Sequence, residues 1–314
     1  MTKQTELVVM THNDLDALGC MLNIEYKMPG IPKKYFHTNY ADIDQVVAEI
    51  EHHVLAEHNT HILIPDVSFA DNKPALARLY NIAHVTHIDH HLYPEGFWDD
   101  FPKMKVVHDM TKSATKLCNE FFKNTGKNER LDKLSFLIDV YDIWQSADPA
   151  FDLSQDLNEY FWASISYGVL LPLVERIIEN DYKLPSDFTD VVKRISNERT
   201  AEVQSYESRN LIHRSGDTSI CFVNNWFNHV MISEMRAGKN IVIGVNSRGI
   251  VRVRIREQSP YTSQQKNALR LELTGTETTG HMNAFTYKIN TKSVEGLITE
   301  AQRVTNAINK HFSE

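Results

Sequence analysis

Between residues 5 and 88, short apolar runs alternate with longer stretches of helical periodicity, and this alternation restricts the fold more than any other feature. Leu7-Val8-Val9-Met10, His61-Ile62-Leu63-Ile64-Pro65 and His84-Val85-Thr86-His87-Ile88 have the length and composition of strands. Lys34-Tyr35-Phe36-His37 reads as a fourth, shorter strand. Between them, residues 15–27, 42–57 and 72–81 read as helices. In the second of these, Ile43, Val46, Val47, Ile50, Val54 and Leu55 recur at helical spacing. The third opens with Asn72-Lys73-Pro74, and proline is well placed at a helix start. Strand–helix–strand repetition predicts a parallel sheet with helices on both faces.

From about residue 113 the pattern turns helical. Helices are predicted over Ser113 to Phe122, Leu131 to Trp144, 153–164 and 169–181, followed by a long polar helix at about 187–212. The last segment changes character, with strands at 218–224, 241–247 and 250–256 and helices near 228–238 and 292–312. The expected α/β architecture is therefore an N-terminal parallel-sheet domain over 1–186, a helical connector over 187–212 and a smaller C-terminal α+β domain over 213–314. A chain of 314 residues is long enough for two cores.

Charge and composition exclude several classes. The formal net charge is −8, whereas binders of long nucleic-acid duplexes are usually basic. The apolar stretches are too short to span a bilayer, so no membrane partner is expected. Met-Thr-Lys-Gln-Thr-Glu at the N-terminus has no apolar signal core. Three widely spaced cysteines, Cys20, Cys118 and Cys221, fit reduced thiols in a cytoplasm better than a disulfide framework. A Gly-rich phosphate loop of the P-loop type is absent, which argues against a kinase or NTPase.

The strand ends carry the chemistry. His12, Asp14 and Asp16 follow the first apolar run, Asp66 the second, and Asp89, His90 and His91 the third. In an open parallel sheet, ligands bind at the carboxyl ends of the strands. One Asp there is ordinarily a helix cap, and one His an ordinary surface or core residue. Three such clusters with no Lys or Arg among them point instead to a divalent cation, and mixed Asp oxygen and His nitrogen suit Mn²⁺. One carboxylate shared between two ions would give a site that cleaves phosphate esters. If residues 12–16 are extended, His12, Asp14 and Asp16 point to the same side.

In the C-terminal segment, Arg252, Arg254 and Arg256 alternate with Val253 and Ile255, which on a strand puts three guanidinium groups on one face. That face is either solvated or a phosphate-gripping strip, a use to which the planar fork of Arg is suited. Tyr35-Phe36-His37 and Phe97-Trp98 read as core or lid packing first and as base-stacking groups second.

These residues together resemble the DHH phosphoesterase superfamily, which includes RecJ exonucleases, nano-RNases and family II pyrophosphatases. The resemblance rests on Thr-His12-Asn-Asp14-Leu-Asp16-Ala-Leu-Gly19-Cys, Ile-Pro-Asp66, Ile-Asp89-His90-His91 and the C-terminal Thr-Thr-Gly280-His281-Met-Asn-Ala284-Phe. The last resembles the glycine-and-histidine motif of the DHH-associated domain, with less glycine than usual. Lys112-Ser113-Ala114-Thr115, Val140-Tyr141-Asp142-Ile-Trp144 and Asp156-Leu-Asn158 resemble the NrnB-type oligoribonuclease branch.

The resemblance implies two divalent ions, Mn²⁺ first, with Mg²⁺ or Co²⁺ as alternatives. One would take His12, Asp14 and Asp66, and the other Asp16, Asp66, His90 and Asp142, with Asp66 bridging. Asp139 rivals Asp142 one helical turn away, and the Tyr-Asp-x-Trp pattern favours Asp142. Asp89 would orient a histidine ring and His91 would contact the scissile phosphate. Gly280 and His281 would join the arginines in holding substrate. The implied activity is a metal-dependent phosphodiesterase that shortens small oligonucleotides to 5′-mononucleotides by two-metal-activated water. The alternatives are hydrolysis of a small nucleotide, such as 3′-phosphoadenosine 5′-phosphate or a dinucleotide, and a nucleotide-binding module without catalysis. A homodimer is expected from the family.

Overall fold

The computed structural model describes residues 6–56, 60–122, 126–165, 170–223, 228–256, 259–275, 283–289 and 293–312. The chain divides into two compact units. The first comprises Met1–Ile143 with Asp148–Phe188, and the second Trp144–Ala147 with Thr189–Glu314.

The first unit opens with β1 (Glu6–Thr11), α1 (Leu15–Lys27), β2 (Lys33–His37), α2 (Ile43–Ala56), β3 (Thr60–Pro65), α3 (Lys73–Ile82), β4 (His84–Asp89) and β5 (Lys105–His108). The five strands form one parallel sheet in the order β2-β1-β3-β4-β5. Parallel strands covered on both faces read as continuous apolar runs, which is why β1, β3 and β4 are legible in the sequence. Alternate residues feed two cores. Val8, Met10, Ile62 and Ile64 pack with Val47, Ile50, Leu76 and Leu79 of α2 and α3. Leu7, Val9, Leu63 and Ile88 pack on the other side with Cys20 and Ile24 of α1 and with Leu117 and Cys118. The unit continues through α4 (Ala114–Phe121), α5 (Glu129–Asp142), α6 (Phe151–Ser164) and α7 (Leu171–Glu179).

The long polar helix is α8 (Phe188–Ser208), and from Thr189 onward it is counted with the second unit. Then come β6 (Ile212–Ser215), β7 (Thr218–Val223), α9 (Asn228–Arg236), β8 (Ile241–Asn246), β9 (Ile250–Ile255), α10 (Ser263–Thr274), β10 (Ala284–Lys288) and α11 (Val294–Phe312). The sheet is mixed, in the order β10-β9-β8-β7-β6, with β7 and β8 parallel and the other pairs antiparallel. Val251, Val253 and Ile255 of β9 face Leu269 and Leu273 of α10 and Val304 and Ile308 of α11.

Cys20, Cys118 and Cys221 are buried free thiols. Among the described residues, no helix is long and apolar enough to cross a membrane.

Candidate metal centre

Three strand ends converge in the first unit. β1 leads into His12 and Asp14, β3 into Asp66, and β4 into His90 and His91. Asp14 is extended, at φ −130° and ψ −168°, and N-caps α1 by accepting from the Ala17 amide at 3.0 Å. Its other oxygen lies 2.9 Å from His12 Nδ1. The 12–16 segment is therefore not extended throughout. The cap starts the helix at Leu15, so Asp16 sits in its first turn and approaches the centre from a helix.

Asp66 has φ +58°, in the left-handed region, where a non-glycine residue costs about 1–3 kcal/mol and recurs at functional sites. Its amide donates to the Ile88 carbonyl at 3.0 Å, which continues the β3–β4 ladder by one residue. Asp66 is not a helix cap, because Asn72 fills that role for α3.

The side chains from these ends meet. His90 Nε2 lies 3.5 Å from Asp66 Oδ1, 3.7 Å from Asp16 Oδ2 and 3.4 Å from Asp142 Oδ2. Three overlapping sets of donor atoms fall within 4.8 Å of one another: Asp66, Asp89, His90 and His91; His12, Asp14 and Asp66; and Asp16, His90 and Asp142. Asp66 belongs to the first two sets, and His90, 3.5 Å from it, belongs to the first and third. The carboxylate that α5 brings beside His90 is Asp142. Asp139, one turn earlier, instead accepts from the Ser113 amide at 2.7 Å.

The start of α4 fixes Asp16. Its Oδ2 accepts from the Ala114 amide at 2.8 Å and its Oδ1 from the Thr115 amide at 2.7 Å, while Thr115 Oγ1 donates to the Asp16 carbonyl at 2.8 Å. A helix N-terminus with free amides favours a carboxylate in this position. The close approach of α1 to α4 requires Gly19: a Cβ there would lie 2.1 Å from Thr115 Oγ1 and 2.7 Å from Ile138 Cδ1. The Ser113-Ala114-Thr115 motif thus has a physical role, which is to hold one carboxylate of the cluster.

The electrostatics are those of crowded carboxylates out of water. Burial, followed by the charge of Asp14, pushes Asp16 up to about 6. Burial and the neighbouring Asp14, Asp16 and Asp142 raise Asp66 well above the usual range. Asp142 is raised by burial and then by Asp16 and Asp14. Burial alone would also raise Asp14, but the adjacent His12 outweighs it and holds Asp14 low. Buried Oδ2 atoms of Asp66 and Asp142 accept no hydrogen bond. Buried acceptors without donors in a cluster this acidic fit divalent cations, which satisfy oxygen ligands and reverse the charge crowding.

Next to this cluster runs a second chain of contacts. His91 Nδ1 donates to Asp89 Oδ1 at 2.7 Å, and Tyr93 donates to Asp89 Oδ2 at 2.5 Å. Asp89 is fully buried and, although burial opposes it, His91 holds its carboxyl low. Asp89 therefore stays ionised and sets the His91 tautomer. The Tyr93 ring in turn packs against Phe97 and Trp98. Phe97 is buried in the core, Phe36 packs against the same cluster, and the Tyr35 hydroxyl donates to Glu25 at 2.6 Å. These aromatics are structural. The aromatic that does reach the centre is Tyr40, whose hydroxyl lies 2.9 Å from His91 Nε2. It escapes sequence reasoning because it stands alone in a turn. Its one signal is position, since β2 ends level with β1 and the residues after it rise at the same sheet edge.

No family model and no curated protein matches the chain. Solved structures do match. The structure of exonuclease RecJ bound to manganese aligns with a TM-score of 0.57 at 14% identity, over 98% of this chain and 91% of that one. This chain shares its fold with RecJ. A pGpG-specific phosphodiesterase, PggH from Vibrio cholerae, aligns with a TM-score of 0.56 at 16% identity, over 96% of this chain and 98% of that one. RecJ from Thermus thermophilus in complex with Mn²⁺ gives a TM-score of 0.56 at 12% identity, over 97% of this chain and 52% of that one. The likeness is one of fold and does not single out the NrnB-type branch.

In the second unit Arg252 and Arg254 lie on β9, which ends at Ile255; the Arg256 amide still donates to the Asn240 carbonyl at 2.8 Å, so the alternation with buried Val251, Val253 and Ile255 runs on through Arg256. The Arg254 guanidinium lies 5.4 Å from the Trp144 ring centroid, and Arg256 donates to the Met235 carbonyl. Gly280 and His281 lie outside the described residues.

Proposed function

We propose that this protein is a metal-dependent phosphodiesterase that cleaves short oligonucleotides, dinucleotides included, to 5′-mononucleotides. The observation that carries this reading is the overlap of Asp/His sets at Asp66 and His90, with buried carboxylate oxygens of Asp66 and Asp142 that accept no hydrogen bond. His12, Asp14 and Asp66 would hold one divalent cation, and Asp16, Asp66, His90 and Asp142 a second. Bound there, two such ions would supply Lewis acidity toward a phosphate ester and activate water near neutral pH. The chain's own residues do the rest. Asp89 fixes the His91 ring through Nδ1, and Nε2, which meets the Tyr40 hydroxyl, would contact the scissile phosphate or, once protonated, give a proton to the leaving oxygen. The Ala114 and Thr115 amides hold Asp16 in place while charge changes around it. Support for manganese and for a dinucleotide-sized substrate comes from the proteins with this fold, RecJ and the pGpG phosphodiesterase. From the second unit, Arg252 and Arg254 are the proposed phosphate contacts.

The test is a product time course. Purified protein with Mn²⁺ is offered a labelled RNA dinucleotide, a longer RNA, single-stranded DNA and 3′-phosphoadenosine 5′-phosphate. The expected result is 5′-mononucleotide release from the dinucleotide, faster than from longer strands, abolished by a chelator and weakened by Arg254→Ala through KM. Turnover in the metal-free protein, or of 3′-phosphoadenosine 5′-phosphate alone, would overturn the proposal.

A further inference from the structure

Among the described residues, Tyr40 is the most exposed of the large hydrophobic side chains, at 53%, yet its far end is anchored inside the centre. His91 Nδ1 is committed as donor to Asp89, which leaves Nε2 to accept the Tyr40 hydroxyl at 2.9 Å. The Tyr40 ring also sits against His12, with centroids 5.3 Å apart and planes tilted by 35°. It meets His91 edge-on, at 82° and 6.2 Å. One end of this side chain therefore touches a histidine of each motif, and half of its surface is left open. An exposed aromatic on a turn ordinarily rotates freely, whereas this one is held at its hydroxyl and along its His12 side. Orienting it for a ligand then costs little further ordering.

We propose that Tyr40 is a specificity-determining residue: its ring is the platform on which the base next to the scissile phosphate stacks. The proposal rests on the phosphodiesterase reading above and adds the substrate class, a phosphate ester carrying a nucleobase. Every base has a π-face, so the platform recognises nucleotides without choosing among bases. The hydroxyl bond to His91 keeps the platform at a fixed distance from the group that meets the phosphate. Base and phosphate are thus held by neighbouring residues of one unit.

The experiment compares adenosine 5′-monophosphate with ribose 5-phosphate, two ligands with the same phosphate of which only one has a base. Affinities are measured calorimetrically on the full chain with Mn²⁺, and KM and kcat on an RNA dinucleotide and a base-free alkyl phosphodiester. Stacking is worth about 5- to 150-fold in affinity. Wild type should prefer adenosine 5′-monophosphate by that factor. Tyr40→Leu and Tyr40→Ala should lose the preference while binding ribose 5-phosphate as Tyr40→Phe does, and Tyr40→Phe, which keeps the ring, should retain most of it. On the dinucleotide, Tyr40→Leu should raise KM by the same factor relative to Tyr40→Phe, which lacks the same hydroxyl, while the two variants should act alike on the base-free diester. A leucine variant that keeps the preference, or equal losses on both ligands, would overturn the proposal. Wild type that shows the binding preference without hydrolysing either ester would sustain Tyr40 as the platform and refute the phosphodiesterase reading.

Discussion

Raising the pH from 5 to 8 should destabilise the metal-free protein, which reverses the usual behaviour of buried carboxylates that have partners. Asp16, pushed up to about 6, together with Asp66 and Asp142, holds protons in the folded state that the unfolded chain has already lost by pH 5. A carboxyl with a raised folded pKa loses stability as pH climbs from its unfolded value through its folded one. The loss is about 1.4 kcal/mol per pH unit for each such group. For Asp16 between pH 5 and 6 that is about 1 kcal/mol, on the order of 3 °C in Tm for a unit of this size, and Asp66 and Asp142 act in the same direction. Asp14 and Asp89 are held low and contribute the opposite way, but their effect is complete by about pH 5. Burial lowers His12 and His91, but Asp14 and Asp89 outweigh it and leave both raised. Their stabilisation is full below the ordinary histidine value and fades as pH rises through the raised one, so they extend the decline. The assay is a set of thermal melts in chelator at half-unit pH steps, repeated with saturating Mn²⁺. Metal should flatten or invert the slope, because protons compete with cations for these oxygens. A metal-free protein whose melting temperature is level or rising across this window would refute the crowded-carboxylate reasoning.

Four substitutions test the same centre and its support. Asp66→Asn should cut activity by more than about 100-fold, beyond the loss of a group that merely orients a ligand. The same change should raise the metal-free Tm at pH 8, and an unchanged rate in a Mn²⁺ assay would count against a shared Asp66. Asp142→Asn should abolish activity while Asp139→Asn, whose amide oxygen still accepts from Ser113, stays within several-fold of wild type; the reverse ranking in steady-state kinetics would misplace the fourth ligand. Gly19→Ala should destabilise the protein by about 1–3 kcal/mol, since the new methyl meets Thr115 and Ile138. Equilibrium denaturation with no such loss would show that α1 and α4 can part without cost.

What can be read from the sequence follows burial. β1, β3 and β4 are covered on both faces and announce themselves as apolar runs, whereas β5 at the sheet edge offers only Val106 and Val107 between Lys105 and His108. β6 and β10, the edges of the second sheet, are similarly quiet. Periodicity misses α10, although its boundaries are marked by the Thr262–Gln265 capping box and by Gly275 at φ +69°. Its apolar face is sparse, so the periodic signal is weak where the caps are strong. In the site, residue types at strand ends are enough to nominate the Asp/His set. They do not show how Asp16 arrives, because a helix that begins at Leu15 replaces the extended segment that alternation implies. Nor does spacing reveal Tyr40, which meets His91 only through the return of β2 beside β1.

Whether two cations share one carboxylate-bridged centre is decided by titrating chelator-treated protein with Mn²⁺ and following bound metal by calorimetry and electron paramagnetic resonance. The expected result is two Mn²⁺ per chain whose signal shows exchange coupling, reduced to at most one uncoupled ion in Asp66→Ala. A wild-type protein that binds no Mn²⁺, or a single ion unaffected by loss of Asp66, would contradict it.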